Sequence, residues 1–231
     1  MSIAENIAQV RTNIAQACAQ AGRSPEEITL VGASKMNDAA ACREAIAAGI
    51  DALGENRVQE MTAKLADNAY DGAPLHFIGH LQRNKVKQVV GKVALIQSVG
   101  SMELLEEIEK VAAREQLVQD ILLEVNIGRE EAKSGFDPDA VTAAAEAALS
   151  LPHVRVRGLM TIPPADADRD ANMRYFQEVQ ALYVDINTKL FHNELEYLSM
   201  GMSGDYMDAI RCGATMVRVG TAIFGARNYN I

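Results

Sequence analysis

Cysteine, histidine and tryptophan are scarce in this chain of 231 residues, which contains three cysteines, four histidines and no tryptophan. The cysteines, Cys18, Cys42 and Cys212, are odd in number, widely separated and free of any C-x-x-C spacing. This pattern argues against a disulfide framework or a zinc cluster, and it favours a reducing cytoplasm as the protein's location. No two histidines share metal-ligand spacing on a predicted helix face, so we expect no metal site.

The chain also lacks an excess of positive charge and any long apolar run. Its formal net charge is −9, which leaves no basic surface for nucleic acid or for an anionic membrane. No apolar run approaches the roughly 18 residues that a membrane span needs, and the first residues lack the basic-then-apolar pattern of a signal peptide. We therefore expect neither a nucleic-acid partner nor a membrane, and any phosphate binding must be local.

What the sequence does contain is a regular alternation of short apolar strands and amphipathic helices. With 48% hydrophobic and 23% charged residues and no linker, it suits one domain over residues 1–231. We predict eight strands, at 28–34, 50–54, 75–78, 93–96, 121–126, 154–159, 195–198 and 216–219. Eight strand–helix units favour a single α/β domain, a (β/α)8 TIM barrel. An open Rossmann-like sheet is the alternative, but no G-x-G-x-x-G follows the first strand.

The predicted helices include an extra N-terminal one that precedes the first strand. Apolar residues from Ile3 to Cys18 recur there at steps of three and four, and Ser2 and Glu5 have the spacing of a capping box. The stretch 24–27 is typical of a helix cap with proline at the first helical position. Further helices are predicted over 38–48, 56–67, 101–114, 137–149 (opened by Asp137 and Pro138) and 168–190.

Chemistry in such a barrel gathers at the carboxyl ends of the strands. The first strand ends in Ser34 and Lys35, where desolvation would lower the pKa of the lysine amine and make it nucleophilic toward a carbonyl. A snorkelling or salt-bridged lysine is the alternative. The loops 199–205 and 218–225 combine glycines with a hydroxyl residue and suit a bound anion, the alternative for each being a plain turn. A lysine opposite a phosphate site predicts a phosphorylated carbonyl compound as cofactor or substrate.

Seven segments, spread over nearly the whole chain, match a known family. They are VGASK at 31–35, GEN at 54–56, HFIGHLQ at 76–82 with NK at 84–85, KSGF at 133–136, RGLM at 157–160, LSMGMS at 198–203 and the stretch 216–225. Through them the sequence resembles the pyridoxal 5′-phosphate (PLP) homeostasis proteins, also called PROSC-type PLP-binding proteins. The barrel of that family is similar to the N-terminal domain of bacterial alanine racemase.

The resemblance implies a role for each of six site residues. Lys35 would hold PLP as an internal aldimine, Asn56 would line the site, Arg218 would face the pyridine nitrogen, and Ser203, Gly220 and Thr221 would bind the phosphate. One departure lies beside the lysine, which the family usually continues with threonine, lysine and proline, whereas this chain has Met36, Asn37 and Asp38. The loop thereby loses a positive charge and gains a negative one, which argues against a role for that second lysine here.

Two further segments have open interpretations. His80 follows the third predicted strand and either approaches the cofactor or faces solvent. Residues 133–135 form either a mobile lip over the barrel mouth or a turn.

Three classes of function fit these residues. The family resemblance implies a PLP-binding protein without strong turnover, which carries or regulates the free cofactor and thereby amino- and keto-acid pools, with apo forms of PLP-dependent enzymes as recipients. The second class is a PLP-dependent enzyme such as an amino-acid racemase. The third is a cofactor-free Schiff-base aldolase with a sugar phosphate in the anion site. Polar outer helix faces favour a monomer.

The racemase alternative needs a second proton-transfer group opposite Lys35. By resemblance the racemase takes it, a tyrosine, from the C-terminal domain of a partner subunit, and we expect no such domain because this sequence ends soon after the eighth strand. Nothing in the spacing of Tyr206 or Tyr229 places either opposite Lys35, so core or surface roles are expected for both.

Overall fold

Eight parallel strands close into a barrel in the computed structural model, which describes residues 1–225. Tyr229 lies outside the described residues. The strands are β1 (Thr29–Ala33), β2 (Ala52–Glu55), β3 (Leu75–Phe77), β4 (Leu95–Val99), β5 (Gln119–Val125), β6 (Val154–Thr161), β7 (Tyr197–Ser199) and β8 (Met216–Val219). Each strand pairs with the next along the chain, and β8 pairs with β1. The (β/α)8 TIM barrel is confirmed, and the open-sheet alternative is wrong.

The strand boundaries lie close to the predicted ones except in β4. The prediction ended this strand at Ile96, before two polar residues, whereas it runs on through Gln97 and Ser98 to Val99. All five residues of β4 are buried. The polar side chains do not end the strand because both are hydrogen-bonded inside the fold, Gln97 to Ser199 and Ser98 to the carbonyl oxygen of Gly79.

The helices form the outer layer, and those that the sequence predicted lie near their predicted positions. They are α1 (Ile3–Ala21), α2 (Ala39–Ala47), α3 (Val58–Ala66), α4 (Met102–Arg114), α5 (Val141–Ala148), α6 (Arg169–Leu190), α7 (Tyr206–Arg211) and α8 (Thr221–Phe224), with 3-10 helices at Pro25–Glu27 and Arg83–Gln88. Helices α7 and α8 and the 3-10 helix at Arg83–Gln88 were not predicted. Helix α5 begins later than predicted because Asp137 does not cap it; its carboxylate accepts hydrogen bonds from Arg129 and from the Asp139 amide. Among the helices of residues 1–225, none combines the length and the apolarity that crossing a lipid bilayer requires.

Helix α1 is the predicted extra N-terminal helix. Its capping box is present, since Ser2 accepts from the Glu5 amide and the Glu5 carboxylate accepts from the Ser2 amide, and Gly22 ends the helix in the left-handed conformation. Its buried face packs against α2, α7 and α8. Because α8 is only four residues long, α1 covers the outside of the barrel beside β8 and β1.

The core has two parts, one between strands and helices and one inside the barrel. The interior part is a small apolar cluster of Val31, Ala52, Leu95, Leu122, Met160 and Met216. Above it, toward the carboxyl ends of the strands, the barrel interior is polar. Polar side chains inside a barrel need partners, and their hydrogen bonds position the site described below.

Gly158 allows β6 and β7 to pair closely. A register shift in the β5–β6 pairing leaves Arg157 out of the ladder, and Gly158 next to it has a φ of 153°. A Cβ atom at this position would lie 1.7 Å from the carbonyl oxygen of Tyr197. No side chain fits there without moving β7.

We predict that Gly158→Ala lowers the free energy of unfolding by about 3 kcal/mol, the upper range for overpacking a core site. The added methyl group must push the Tyr197 backbone away, and β7 is only three residues long. Urea unfolding followed by circular dichroism measures the change. The matched control is Gly204→Ala, because a Cβ there meets no atom within 4 Å; equal losses in both variants would contradict the prediction.

Candidate functional site

A cavity of ≈ 240 Å³ lies at the carboxyl-end mouth of the barrel. Six polar residues from five strand ends and one loop line it: Lys35, Asn56, His80, Glu124, Ser134 and Arg218. Larger cavities exist elsewhere, one of ≈ 600 Å³ beside α7 and one of ≈ 570 Å³ at the amino ends of β6 and β7. Only the mouth cavity among these three combines an amine, a guanidinium and a carboxylate, so size does not identify the site.

Lys35 lies in the turn that follows β1, as the sequence predicts. Its neighbour Ser34 is fully buried, whereas Lys35 is half-buried and lines the mouth cavity. The turn is fixed by two local hydrogen bonds, from the Asn37 amide to the Ser34 carbonyl and from the Asn37 side chain to the Lys35 carbonyl. The strand end therefore delivers an amine to the cavity from a rigid backbone.

Asn56 follows β2 and reaches the cavity beside Lys35. Its backbone packs so closely against Gly79 that a Cβ at that glycine would lie 2.2 Å from the Asn56 carbonyl oxygen. The side-chain oxygen Oδ1 of Asn56 is buried and has no hydrogen-bond partner. A buried amide oxygen without a partner costs stability, and a bound ligand that brings a donor satisfies it.

The loops after β7 and β8 converge, as predicted for an anion site. The Ser203 hydroxyl oxygen accepts hydrogen bonds from the backbone amides of Gly220, at 3.1 Å, and Ala222, at 3.3 Å. The sequence predicted the amides of Gly220 and Thr221 as donors in this loop. The structure adds the Ala222 amide as a donor that the sequence did not predict. Thr221 itself is exposed at the first position of α8. Two amides that converge on one oxygen have the arrangement that binds an anion.

Ser203 lies at the boundary of two cavities. It lines the larger cavity beside α7, whereas its neighbour Met202 lines the mouth cavity together with Lys35 and Arg218. An anion bound at the Gly220 and Ala222 amides would thus sit at the edge of the mouth, with the rest of the ligand toward the lysine.

Arg218, on β8, is the buried cation of the site. Its guanidinium donates to the Ser199 hydroxyl at 2.5 Å and to the Thr161 carbonyl at 2.9 Å, and the residue is 3% exposed. Burial lowers its pKa to about 10, against the opposing charges of Glu124 and Asp205. Arg218 therefore remains charged at neutral pH and acts only as a hydrogen-bond donor.

A chain of hydrogen bonds connects Arg218 with the barrel interior. Ser199 accepts from Arg218 and donates to Gln97 Oε1 at 2.7 Å, and Gln97 Nε2 lies 2.9 Å from His76 Nδ1. Because Gln97 Nε2 is a donor, His76 Nδ1 must be the acceptor and the ring proton lies on Nε2. Burial lowers the pKa of His76 to about 4, so this histidine is neutral at pH 7.

Glu124, on β5, is a functional candidate that the sequence analysis missed. It is 7% exposed, lines the mouth cavity and accepts a hydrogen bond from the Ser134 hydroxyl at 3.1 Å. Burial raises its pKa, while Ser134 and the charges of Arg218 and His80 oppose that rise. The sequence feature that could have identified Glu124 is its position as a single glutamate inside the apolar run of β5.

The two segments with open interpretations are also located. His80 is exposed, as its solvent-facing alternative predicts, and it also lines the mouth cavity. Its approach to a cofactor stays a prediction. The segment 133–135 folds over the edge of the mouth, where Ser134 contacts Glu124 and Lys133 is ion-paired with Glu130 at 2.5 Å. It is a tethered part of the site wall. Tyr206 is buried and accepts a hydrogen bond from Asn13 of α1, in agreement with a core role.

Comparison with known proteins identifies the family of the chain. Residues 6–228 match the family model of the alanine racemase N-terminal domain. The pyridoxal phosphate homeostasis protein of Aquifex aeolicus is 42% identical over 229 residues, which are 99% of this chain and 100% of the relative. The protein of the same name from Escherichia coli K12 is 38% identical over 231 residues, covering 99% of this chain and 98% of the relative.

Two solved structures are also similar to this chain. PipY of Synechococcus elongatus, determined with PLP bound, has a TM-score of 0.84 at 33% identity, covering 97% of this chain and 100% of that one. An alanine racemase of Clostridium difficile has a TM-score of 0.73 at 17% identity, and the match covers 58% of its length. The racemase likeness concerns the fold alone.

The barrel and the matched family model define a protein of the alanine racemase N-terminal domain class. Within that class, the identities of 38% to 42% over full length are decisive. The chain belongs to the family of pyridoxal phosphate homeostasis proteins, and the resemblance found in the sequence is confirmed.

We predict that His76 makes the protein sensitive to acid. The unfolded chain takes up a proton near the ordinary histidine pKa of 6.5, but the folded state does so only near pH 4. The free energy of unfolding is therefore fully retained above about pH 6.5 and falls as the pH is lowered toward 4, by on the order of 3 kcal/mol for this group. His76→Asn keeps an acceptor for Gln97 and should flatten the decline in urea unfolding experiments.

The control for this experiment is His192→Asn, because His192 is exposed and adopts a positive φ of 52° that asparagine tolerates. That variant should follow the parent at every pH. An unchanged slope in His76→Asn would show that His76 does not titrate as described.

Proposed function

We propose that this protein binds PLP at the barrel mouth, attached covalently through Lys35, and serves PLP homeostasis without strong catalytic turnover. The observation that carries the proposal is that an amine and a buried guanidinium line one mouth cavity together with Met202, whose neighbour Ser203 accepts from the amides of Gly220 and Ala222 at the edge of that mouth. It is supported by the PLP-bound structure of the relative PipY. We further propose that residues 1–231 constitute a single PLP-binding domain.

The residues fit the parts of PLP one by one. The phosphate would exchange with the Ser203 hydroxyl at the Gly220 and Ala222 amides, with the Thr221 hydroxyl available from the solvent side. Oriented amides are suited to this because they supply partial positive charge without a mobile side chain. This part of the proposal uses neutral donors, in keeping with a chain of net charge −9.

The aldehyde end would meet Lys35. Lys35 would hold the aldehyde through its uncharged Nζ: a C=N bond would replace the C=O bond, and the aldehyde oxygen would leave as water with the two amine protons, so that no oxidant or reductant is needed. Asn56 lies beside the lysine with an unpartnered buried Oδ1, which a donor on the ligand would satisfy. Bound PLP supplies an electrophilic carbon and an electron-withdrawing ring.

Arg218 would face the ring nitrogen and limit the chemistry. A guanidinium with a pKa of about 10 keeps its protons at neutral pH, so it donates a hydrogen bond and leaves the nitrogen unprotonated. The chain from Ser199 to His76 holds the guanidinium in place. An unprotonated ring is a weak electron sink, which supports a carrier or regulator in preference to an enzyme.

The same features of the mouth support a role in the release and control of PLP in the cell. The mouth is open to solvent at His80 and Met202, both exposed, which suits release of PLP to apo forms of PLP-dependent enzymes and control of amino- and keto-acid pools. All three cysteines are buried thiols, which suits a reducing cytoplasm. We propose a monomer, in line with the polar outer faces of the helices.

We predict that Lys35 is the residue that binds PLP covalently. Purified protein incubated with PLP should be yellow, and borohydride should fix the cofactor on the peptide that contains Lys35. Lys35→Ala should abolish the trapped adduct. The control is Lys133→Ala, since Lys133 is ion-paired on the rim; it should still yield the adduct. A modified peptide that carries Lys85 or Lys133 instead, or a colourless protein, would contradict the assignment.

We predict that PLP-loaded protein does not turn over amino acids above the level of free PLP. The measurement is Cα exchange and chirality of a panel of L-amino acids in deuterium oxide. Lys35 supplies one proton-transfer group, and the titratable side chains that share its cavity are His80 and Glu124. Enantiomer formation well above free PLP, lost in Lys35→Ala and in Glu124→Gln or His80→Asn, would establish the racemase alternative.

A further inference from the structure

A group of charged side chains is buried behind the site, outside the mouth cavity. Glu55, at the end of β2, is fully buried, and Lys64, on α3, is 6% exposed. The Lys64 ammonium donates to Glu55 at 2.6 Å and to Glu60 at 2.8 Å, and Glu55 also accepts from Ser34 and Tyr70. Nothing in the proposed binding of PLP uses these groups.

The Glu60–Lys64 pair contacts the backbone on both sides of Lys35. Lys64 Nζ donates to the Ser34 carbonyl oxygen, which belongs to the peptide group before Lys35, at 2.8 Å. Glu60 Oε1 accepts from the Met36 amide, which belongs to the peptide group after Lys35. One ion pair on one helix thus holds both peptide groups of a single residue.

The backbone at this point needs such support. Met36 has a φ of 61°, in the left-handed region that residues other than glycine seldom adopt. A residue persists in that region only where the surrounding structure overdetermines it. The peptide group before Met36 is held by Glu60, which accepts from the Met36 amide, and the peptide group after it is held by the Asn37 amide, which donates to the Ser34 carbonyl oxygen.

Lys64 is not itself a second nucleophile. Its three N–H donors have three acceptors, namely the Ser34 carbonyl, Glu55 and Glu60. Burial alone would lower the pKa of the Lys64 ammonium, but the charge of Glu55 and the hydrogen bonds to Glu55 and Glu60 raise it above the ordinary value. The amine is therefore held protonated and has no lone pair to attack a carbonyl.

We propose that the Glu60–Lys64 pair positions Lys35, by fixing the two peptide groups that flank it, so that its amine meets the carbonyl carbon of a bound phosphorylated aldehyde. This inference rests on the proposed role of Lys35. Glu60 and Lys64 are positioning residues, because neither lines the mouth cavity. A change in either residue should therefore alter the attachment of the aldehyde to Lys35. It should leave the binding of the ligand's phosphate unchanged.

The test compares two ligands, PLP and pyridoxine 5′-phosphate. The second has the same ring and phosphate but no aldehyde, so it occupies the site without attachment. Glu60→Ala removes the acceptor for the Met36 amide, whereas Glu60→Gln keeps an amide oxygen at the same place. Glu60 suits substitution because its side chain is 20% exposed; replacing Lys64 would leave the buried Glu55 unpaired and endanger folding.

We expect Glu60→Ala to slow borohydride-trappable attachment of PLP about tenfold, the effect of losing one hydrogen bond to a charged group. Its affinity for pyridoxine 5′-phosphate should equal that of the parent, and Glu60→Gln should restore most of the attachment rate. The matched control is Glu109→Ala. Glu109 accepts from the His153 amide at the opposite end of the barrel and is 16% exposed, so it loses a similar contact without touching the site.

Each outcome has a distinct meaning. Parent-like attachment in Glu60→Ala overturns the inference but leaves the proposed function intact. Equal slowing in Glu60→Ala and Glu109→Ala, or a parallel loss of pyridoxine 5′-phosphate binding, overturns it as well, because the effect is then general destabilisation. A parent protein that binds neither ligand, or that attaches PLP at another lysine, contradicts the proposed function itself.

Discussion

The pairing of β1 with β8 is the interaction on which the site depends. It sets Val31 opposite Arg218 and Gly32 opposite Val219, so the residues that follow the two strands emerge side by side. Lys35 comes from one of these strand ends and the Gly220 amide from the other, although 185 positions separate them in sequence. Without closure of the barrel, the lysine and the Gly220 amide would lie at opposite edges of an open sheet.

The polar upper half of the barrel follows from the same closure. Arg218, Ser199, Gln97 and His76 come from β8, β7, β4 and β3, and they meet because a closed barrel turns alternate side chains inward. Each donor in this series of hydrogen bonds has an acceptor, and the direction of the series is set by the guanidinium, which cannot accept. The electrostatic character of the mouth is therefore determined by a network that begins deep in the barrel.

Much of this arrangement was accessible from the sequence. Alternating apolar strands and amphipathic helices predicted the barrel, and the strand ends predicted that Lys35 and the loops after β7 and β8 lie at its mouth; anion binding by these loops stays a prediction. The site residues drawn from family resemblance, Asn56 and Arg218, do line the cavity. The hydrogen bonds of Gln97, Ser199 and Glu60 could not be predicted from the sequence. Each needs a partner that only the closed barrel or the docking of α3 brings near. The late start of α5 could not be predicted either, because it depends on the hydrogen bonds that the Asp137 carboxylate accepts from Arg129 and from the Asp139 amide.

The Ser203 hydroxyl accepts from the Gly220 and Ala222 amides. In the proposed complex, a phosphate oxygen that takes these amides would displace that internal acceptor, and the hydroxyl would rotate to become a donor. The gain is a difference between two sets of hydrogen bonds, which is smaller than the gain from donors that had no partner. If phosphate binds there as proposed, its binding and release are an exchange of acceptors, because the Ser203 oxygen accepts from the same amides when the ligand leaves.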